Sequence, residues 1–70
     1  MNTLRKTFGE RIKQLRQDAE ISQEAFAAEC GFARSYMSRI ERGTSNVSLD
    51  AIERIAAGLQ ISIEELFKGL

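Results

Sequence analysis

The chain has 70 residues, ten basic and ten acidic side chains, one cysteine and no histidine, proline or tryptophan. That length allows one small domain. The lone Cys30 excludes an internal disulfide and, with no histidine beside it, leaves no donor set for a structural zinc ion. No apolar run approaches the ~18 residues of a membrane span, and the start of the chain lacks the apolar segment of a secretory signal. A reducing cytoplasm is therefore the expected compartment.

Helical periodicity runs through the whole chain. Leu4, Phe8, Ile12, Leu15 and Ala19 recur three or four residues apart, which predicts an amphipathic helix from about Thr3 to Asp18. Ser22 then stands before Gln23-Glu24-Ala25-Phe26 as an N-cap, its hydroxyl accepting a first-turn N–H that has no helical partner. Glu24 suits the positive end of that helix. The second helix runs from about Gln23 to Cys30 and stops at Gly31. A third starts near Arg34 and ends at Gly43, with Met37 and Ile40 as its apolar face and Arg34, Ser35, Ser38, Arg39 and Arg42 pointing elsewhere. Thr44-Ser45-Asn46 reads as a polar loop. Ser48 caps a fourth helix with the stripe Leu49, Ile52, Ile55, Ala56 and Leu59, and Gly58 lies near its end. The segment Ile61 to Leu66 carries a full capping signal: Ser62 caps, Glu65 reaches back, and Ile61 staples onto Leu66. The fifth helix covers about Ile63 to Phe67. No segment alternates over a strand's length, so the expected fold is all-α, a compact five-helix bundle over residues 1–70.

The informative stretch is Gln23 to Gly43. Two short helices are separated by only Gly31-Phe32-Ala33, which forces a large crossing angle, the helix-turn-helix arrangement. Ala27 must be small where the helices approach, and Gly31 must accept a positive φ. Phe26, Cys30, Phe32, Met37 and Ile40 must be apolar to seal the pair against the first and fourth helices. All of these requirements are met.

Here the sequence resembles the phage-repressor and Cro type of helix-turn-helix domain, also called XRE-like. The matching residues are Ile21-Ser22-Gln23-Glu24-Ala25-Phe26-Ala27, Gly31, Arg34 through Gly43, Ser48 through Ile52, and Leu59 through Ser62. Within that family, Arg34-Ser35-Tyr36 followed by Ile40-Glu41-Arg42-Gly43 looks most like controller proteins of restriction–modification systems. The resemblance implies a sequence-specific DNA-binding transcriptional regulator, a homodimer on a palindromic operator of double-stranded DNA, with no cofactor and no enzymatic activity.

In this motif the second helix enters the major groove by its N-terminal end. Arg34, Ser35, Ser38 and Arg39 are then the base-contact candidates, since arginine matches the O6 and N7 of guanine and serine bonds several bases. The alternative is that both arginines are simply solvated or bond phosphate alone. Gln23 resembles the first residue of the family's motif, which bonds a phosphate; with Ser22 it opens a helix whose free N–H groups and positive end suit an anion, the alternative being a plain surface glutamine. Tyr36, Arg42, Thr44 and Asn46 complete the phosphate candidates; Tyr36 could instead simply pack on the second helix. Many relatives carry a basic residue in the following loop where this chain has Ser45, which weakens that contact. Relatives also pair an arginine near the end of the first helix with the glutamate of the Ile-Glu step. Arg16 and Glu41 occupy those places, and such an ion pair orients helices more than it stabilises them. Cys30, on an apolar face, reads as a structural cysteine rather than a reactive one.

Leu59, Ile61, Ile63, Phe67 and Leu70 exceed what five short helices can hide and form a candidate dimer patch, unless they only close the monomer core. A competing reading is a small helical protein-interaction module, such as an antitoxin or adaptor. Net charge separates the two poorly. It is zero, whereas nucleic-acid binders usually carry a basic excess. The zero is a sum of opposed segments. Residues 1–18 hold Arg5, Lys6, Arg11, Lys13 and Arg16 against Glu10 and Asp18, and the third helix holds Arg34, Arg39 and Arg42 against Glu41. A neutral protein with a local basic face must draw more of its DNA selectivity from base contacts.

Overall fold

The computed structural model describes residues 3–70 and contains α1 (Thr3–Asp18), α2 (Gln23–Cys30), α3 (Arg34–Arg42), α4 (Leu49–Leu59) and α5 (Ile63–Leu66). Helix α5 stops before Phe67, whose ψ of 7° has already left the helical region. Among the described residues no helix is long and apolar enough to cross a membrane.

The first four helices end in the same way. Glu20, Gly31, Gly43 and Gln60 adopt left-handed backbone, with φ of 59°, 77°, 75° and 59°. The next residue in each case (Ile21, Phe32, Thr44 or Ile61) sends its N–H back to the carbonyl of Arg16, Ala27, Arg39 or Ala56, at 2.8–3.1 Å. This is the Schellman motif, which satisfies carbonyls that have no helical partner. Ile21, Phe32 and Ile61 then pack against the core. After Ile21 and Ile61 the chain restarts at once, because Ser22 and Ser62 accept the N–H of Ala25 and Glu65 at 3.1 and 3.0 Å. Stop, anchor and restart occupy successive residues, which is how so short a chain turns its corners.

Gln60, not Gly58, takes the left-handed position that ends α4. Gly58 instead lets α4 lie close on α2, since a Cβ there would sit 3.0 Å from Phe26 Cε1 and 3.1 Å from Cys30 Sγ. The left-handed conformation costs a residue with a Cβ about 1–2 kcal/mol. Glycine removes that cost but gains unfolded-state entropy of about 0.4–1 kcal/mol. Gln60→Gly is therefore expected to stabilise the fold by about 0.5–1 kcal/mol, read as a raised urea midpoint. A lowered midpoint contradicts this account.

The core joins all five helices through Phe8, Ile12, Phe26, Ala27, Cys30, Met37, Ile40, Ile55, Ala56 and Leu66. Helix α3 packs on α1 and α2, while α4 packs on α2 and α5. Burial, and secondarily the charge of Glu29, pushes the Cys30 thiol up to about 11, so it stays a protonated, apolar group.

Three expected stripe residues lie outside the core, Ala19 among them, exposed just past the end of α1. Leu4 and Leu49 are 61% and 81% exposed. Each stands in the first turn of its helix, where the apolar period continues but the neighbouring element does not reach. Glu65 also departs from the capping box. Its carboxylate and carbonyl are both bonded by Arg11 Nη2, at 3.2 and 2.7 Å, while Arg11 Nε donates to the Leu66 carbonyl at 3.3 Å. Arg11 thus ties α5 to α1 across the chain, and Phe67 stacks on Phe8 with centroids 5.1 Å apart.

Candidate nucleic-acid interface

Helix α3 is two-faced. Met37, Ile40 and Glu41 are buried, whereas Arg34, Ser35, Arg39 and Arg42 are exposed and Ser38 is half-buried. The four base-contact candidates therefore share the solvent side of one short helix. Ala33 starts that helix without a side-chain cap, so its positive end is open beside Arg34 and Ser35. Phe32 and Tyr36 meet edge to face, with centroids 5.0 Å apart and rings inclined at 79°. The Arg39 guanidinium lies 5.8 Å from the centroid of the Tyr36 ring. That cation–π contact props Arg39 on the outer face.

The phosphate candidates differ in what they have free. Ser22 Oγ accepts the Ala25 N–H at 3.1 Å, which leaves its own proton to donate. Arg42 Nε donates to the Ser38 carbonyl at 3.3 Å, and its terminal nitrogens face solvent on an exposed side chain. Asn46 is exposed in the loop after α3. Thr44 is already engaged: its N–H and its hydroxyl both donate to the Arg39 carbonyl, at 3.0 and 3.3 Å, and close α3.

A buried polar cluster fixes the motif from behind. Arg16 Nε and Nη2 donate to the two oxygens of Glu41 at 2.7 and 3.1 Å, and Arg16 Nη1 donates to the Ile21 carbonyl at 2.8 Å. The Arg16 and Glu41 side chains are only 10% and 3% exposed. The expected pair is thus a bidentate one that also grips the turn between α1 and α2. Gln23 joins it, giving its amide to Glu41 Oε1 at 3.1 Å and accepting from Arg34 Nε at 3.4 Å. These bonds of Gln23 were not legible in the chain, where it reads as the first residue of α2 and a phosphate candidate.

Gly9 was missed as well. It is buried, and a Cβ there would run into the carbonyl oxygen of Ile40 and lie 2.8 Å from that of Glu41. The backbone of α1 therefore rests directly on the end of α3. The signal was a glycine in the middle of a strongly periodic helix, a position it holds at a loss unless something approaches closely.

A short pair of helices around a tight turn, with the second presenting arginines outward and its inner face locked by an ion pair, defines a helix-turn-helix protein of the DNA-binding, transcription-regulating class. The family model for the helix-turn-helix domain matches residues 7–67, and the chain belongs to this family. It is 45% identical over 71 residues to the control protein C.MunI of a Mycoplasma species, covering 100% of this chain and 96% of that protein. The crystal structure of the restriction–modification controller protein C.AhdI from Aeromonas hydrophila matches with a TM-score of 0.83 and 45% identity, over 86% of this chain and 91% of that one. SinR, the master regulator for biofilm formation, matches in its complex with DNA with a TM-score of 0.80 and 37% identity, over 87% of this chain and 98% of that one. These are regulators, not enzymes, and the all-α helix-turn-helix expectation agrees with them.

Proposed function

We propose that this chain is a controller-type regulator that binds a palindromic operator as a two-fold homodimer in the cytoplasm. The carrying observation is the outer face of α3, where Arg34, Ser35, Ser38 and Arg39 stand together with none of them buried. Arg34 and Arg39 read guanines, Ser35 and Ser38 bond neighbouring base edges, and Ser22, Gln23, Tyr36, Arg42 and Asn46 hold the backbone. The likeness to proteins named as controllers, and to a regulator solved on DNA, supports this reading.

The dimer reading is supported by the C-terminal surface. Ile63 and Leu70 are 45% and 46% exposed, with Phe67 half-buried beside them. Leu59 and Ile61 contribute less, because both are packed against the core. An open groove of about 310 Å³, lined by Leu4, Phe8, Val47, Ile52 and Phe67 among others, adjoins that surface.

Selection of bound DNA from a random pool tests the whole proposal. The expected outcome is a symmetric consensus whose half-site centres lie ~34 Å apart or a multiple of it. A single asymmetric half-site overturns the two-fold dimer. Affinity for the consensus should fall linearly in log salt, as phosphate contacts release counterions. Arg34→Ala or Arg39→Ala should each cost about 1–3 kcal/mol and relax preference at one base pair per half-site. Loss of no preference in either variant overturns the assignment of α3.

A further inference from the structure

We propose that Arg11 is a positioning residue for half-site spacing: by clamping α5 to α1 it fixes the C-terminal dimer patch relative to α3. The proposal rests on the reading of α3 as the recognition helix and of that patch as the dimer surface. Its starting point is the weakness of α5 as a helix. The single turn Ile63–Leu66 cannot hold itself, because the first turn of a helix costs more than its hydrogen bonds return. Carbonyls at such a helix end need partners from elsewhere. Arg11 supplies them: Nη2 donates to the Glu65 carbonyl at 2.7 Å and Nε to the Leu66 carbonyl at 3.3 Å. The guanidinium is planar, so two bonds to successive carbonyls fix the direction of α5 on α1 as well as its position. The contact with the Glu65 carboxylate at 3.2 Å is the lesser part, since that side chain is 47% exposed.

The clamp stands between two working surfaces. On one side are Ile63 and Leu70, both exposed, and Phe67, which stacks on Phe8 of α1. The apolar residues offered to a second copy are thus tied to α1 by Arg11 and by Phe8. On the other side is α3. The backbone of α1 rests on its end at Gly9, and Arg16 of α1 holds Glu41. Gly9, Arg11 and Arg16 lie within about two turns of one helix. By packing alone, the route from α5 to α3 runs through α4 and α2, and each of those contacts can shift. In a two-fold dimer, any shift of the patch against α3 is applied once in each protomer. One base pair added between half-sites moves them ~3.4 Å apart and about a tenth of a turn out of phase. A rigid link rejects that operator, whereas a loosened α5 accommodates it.

The test measures affinity for the selected operator and for versions with one base pair inserted or removed between the half-sites, taken as a ratio. The ratio does not depend on the folded fraction, so lost stability alone leaves it unchanged. The unaltered chain is expected to bind the altered spacings about a hundredfold more weakly, because only one half-site is then engaged. Arg11→Met removes the clamp and should lower that ratio to about threefold, with affinity for an isolated half-site unchanged. Arg11→Lys keeps the charge without the planar fork and should give an intermediate ratio. Glu65→Gln keeps both carbonyl bonds and should keep the full ratio.

An unchanged ratio in both Arg11→Met and Arg11→Lys overturns the proposal, with the dimer reading intact. A ratio in Glu65→Gln as low as that in Arg11→Met overturns the carbonyl clamp and leaves a surface ion pair. If the unaltered chain itself prefers no spacing, the dimer reading falls and this proposal with it.

Discussion

Glu41→Ala is expected to destabilise the folded chain by about 3–5 kcal/mol, because it strands the Arg16 guanidinium in a site from which water is largely excluded. Arg16 is 10% exposed and keeps only the Ile21 carbonyl, at 2.8 Å, once the carboxylate is gone. A chain of this size has a total stability of roughly 4–10 kcal/mol. The substitution therefore removes a large share of it and should show as a collapse of the urea midpoint. Arg16→Ala leaves the opposite charge buried, with Gln23 as its remaining donor. In a double-mutant cycle the two losses should couple strongly, the second substitution costing far less once the first is made. Strictly additive losses would remove the pair from the account.

The pair is nevertheless poor evidence of net stabilisation. Desolvating both charges offsets most of their attraction, and apolar replacements of similar volume are often neutral. Its value lies in direction. Arg16 stands in the last turn of α1, Glu41 near the end of α3, and Gln23 at the start of α2. One carboxylate thus sets the relation of three helices and, through Gln23, is linked to Arg34 on the outer face of α3.

Local signals carried most of this fold. The serine caps at Ser22, Ser48 and Ser62 and the period of α1 and α4 act over one or two turns, so the helix bounds were legible residue by residue. Long-range relations were not. Glu65 has the spacing of a capping box, but Arg11, 54 residues away in the chain, takes its carboxylate. Leu49 continues the period of α4, but no element covers it. Within the site, the exposed face of α3 followed from its pattern of apolar residues. The Arg16–Glu41 pair was legible through family resemblance, because two charges 25 residues apart carry no period to connect them. The part of Gln23 depends on that pair and needed coordinates.

Gly43→Ala is expected to cost about 2–4 kcal/mol, while Gly31→Ala costs only about 1 kcal/mol. The two glycines end successive helices at nearly the same φ, 75° and 77°. Both substitutions therefore meet the same penalty for a Cβ in the left-handed region. They differ in the space around that Cβ. At Gly31 its nearest neighbour would be Arg54 Nη1 at 3.6 Å, an ordinary contact with the tip of a flexible side chain. At Gly43 it would lie 2.7 Å from Lys6 Cα and 3.2 Å from the Arg5 carbonyl oxygen, and backbone cannot rotate aside. Relief requires α1 and α3 to part, and Gly9 shows that their backbones already touch one turn further along α1. Because α1 carries Arg16, that shift is transmitted to Glu41. Gly43→Ala should therefore also weaken operator binding by more than its lowered folded fraction explains, whereas Gly31→Ala should leave the affinity of the folded fraction unchanged. Urea denaturation and titration of the selected operator measure the two effects separately. Equal stability losses at the two glycines would refute the close approach of α1 to the end of α3.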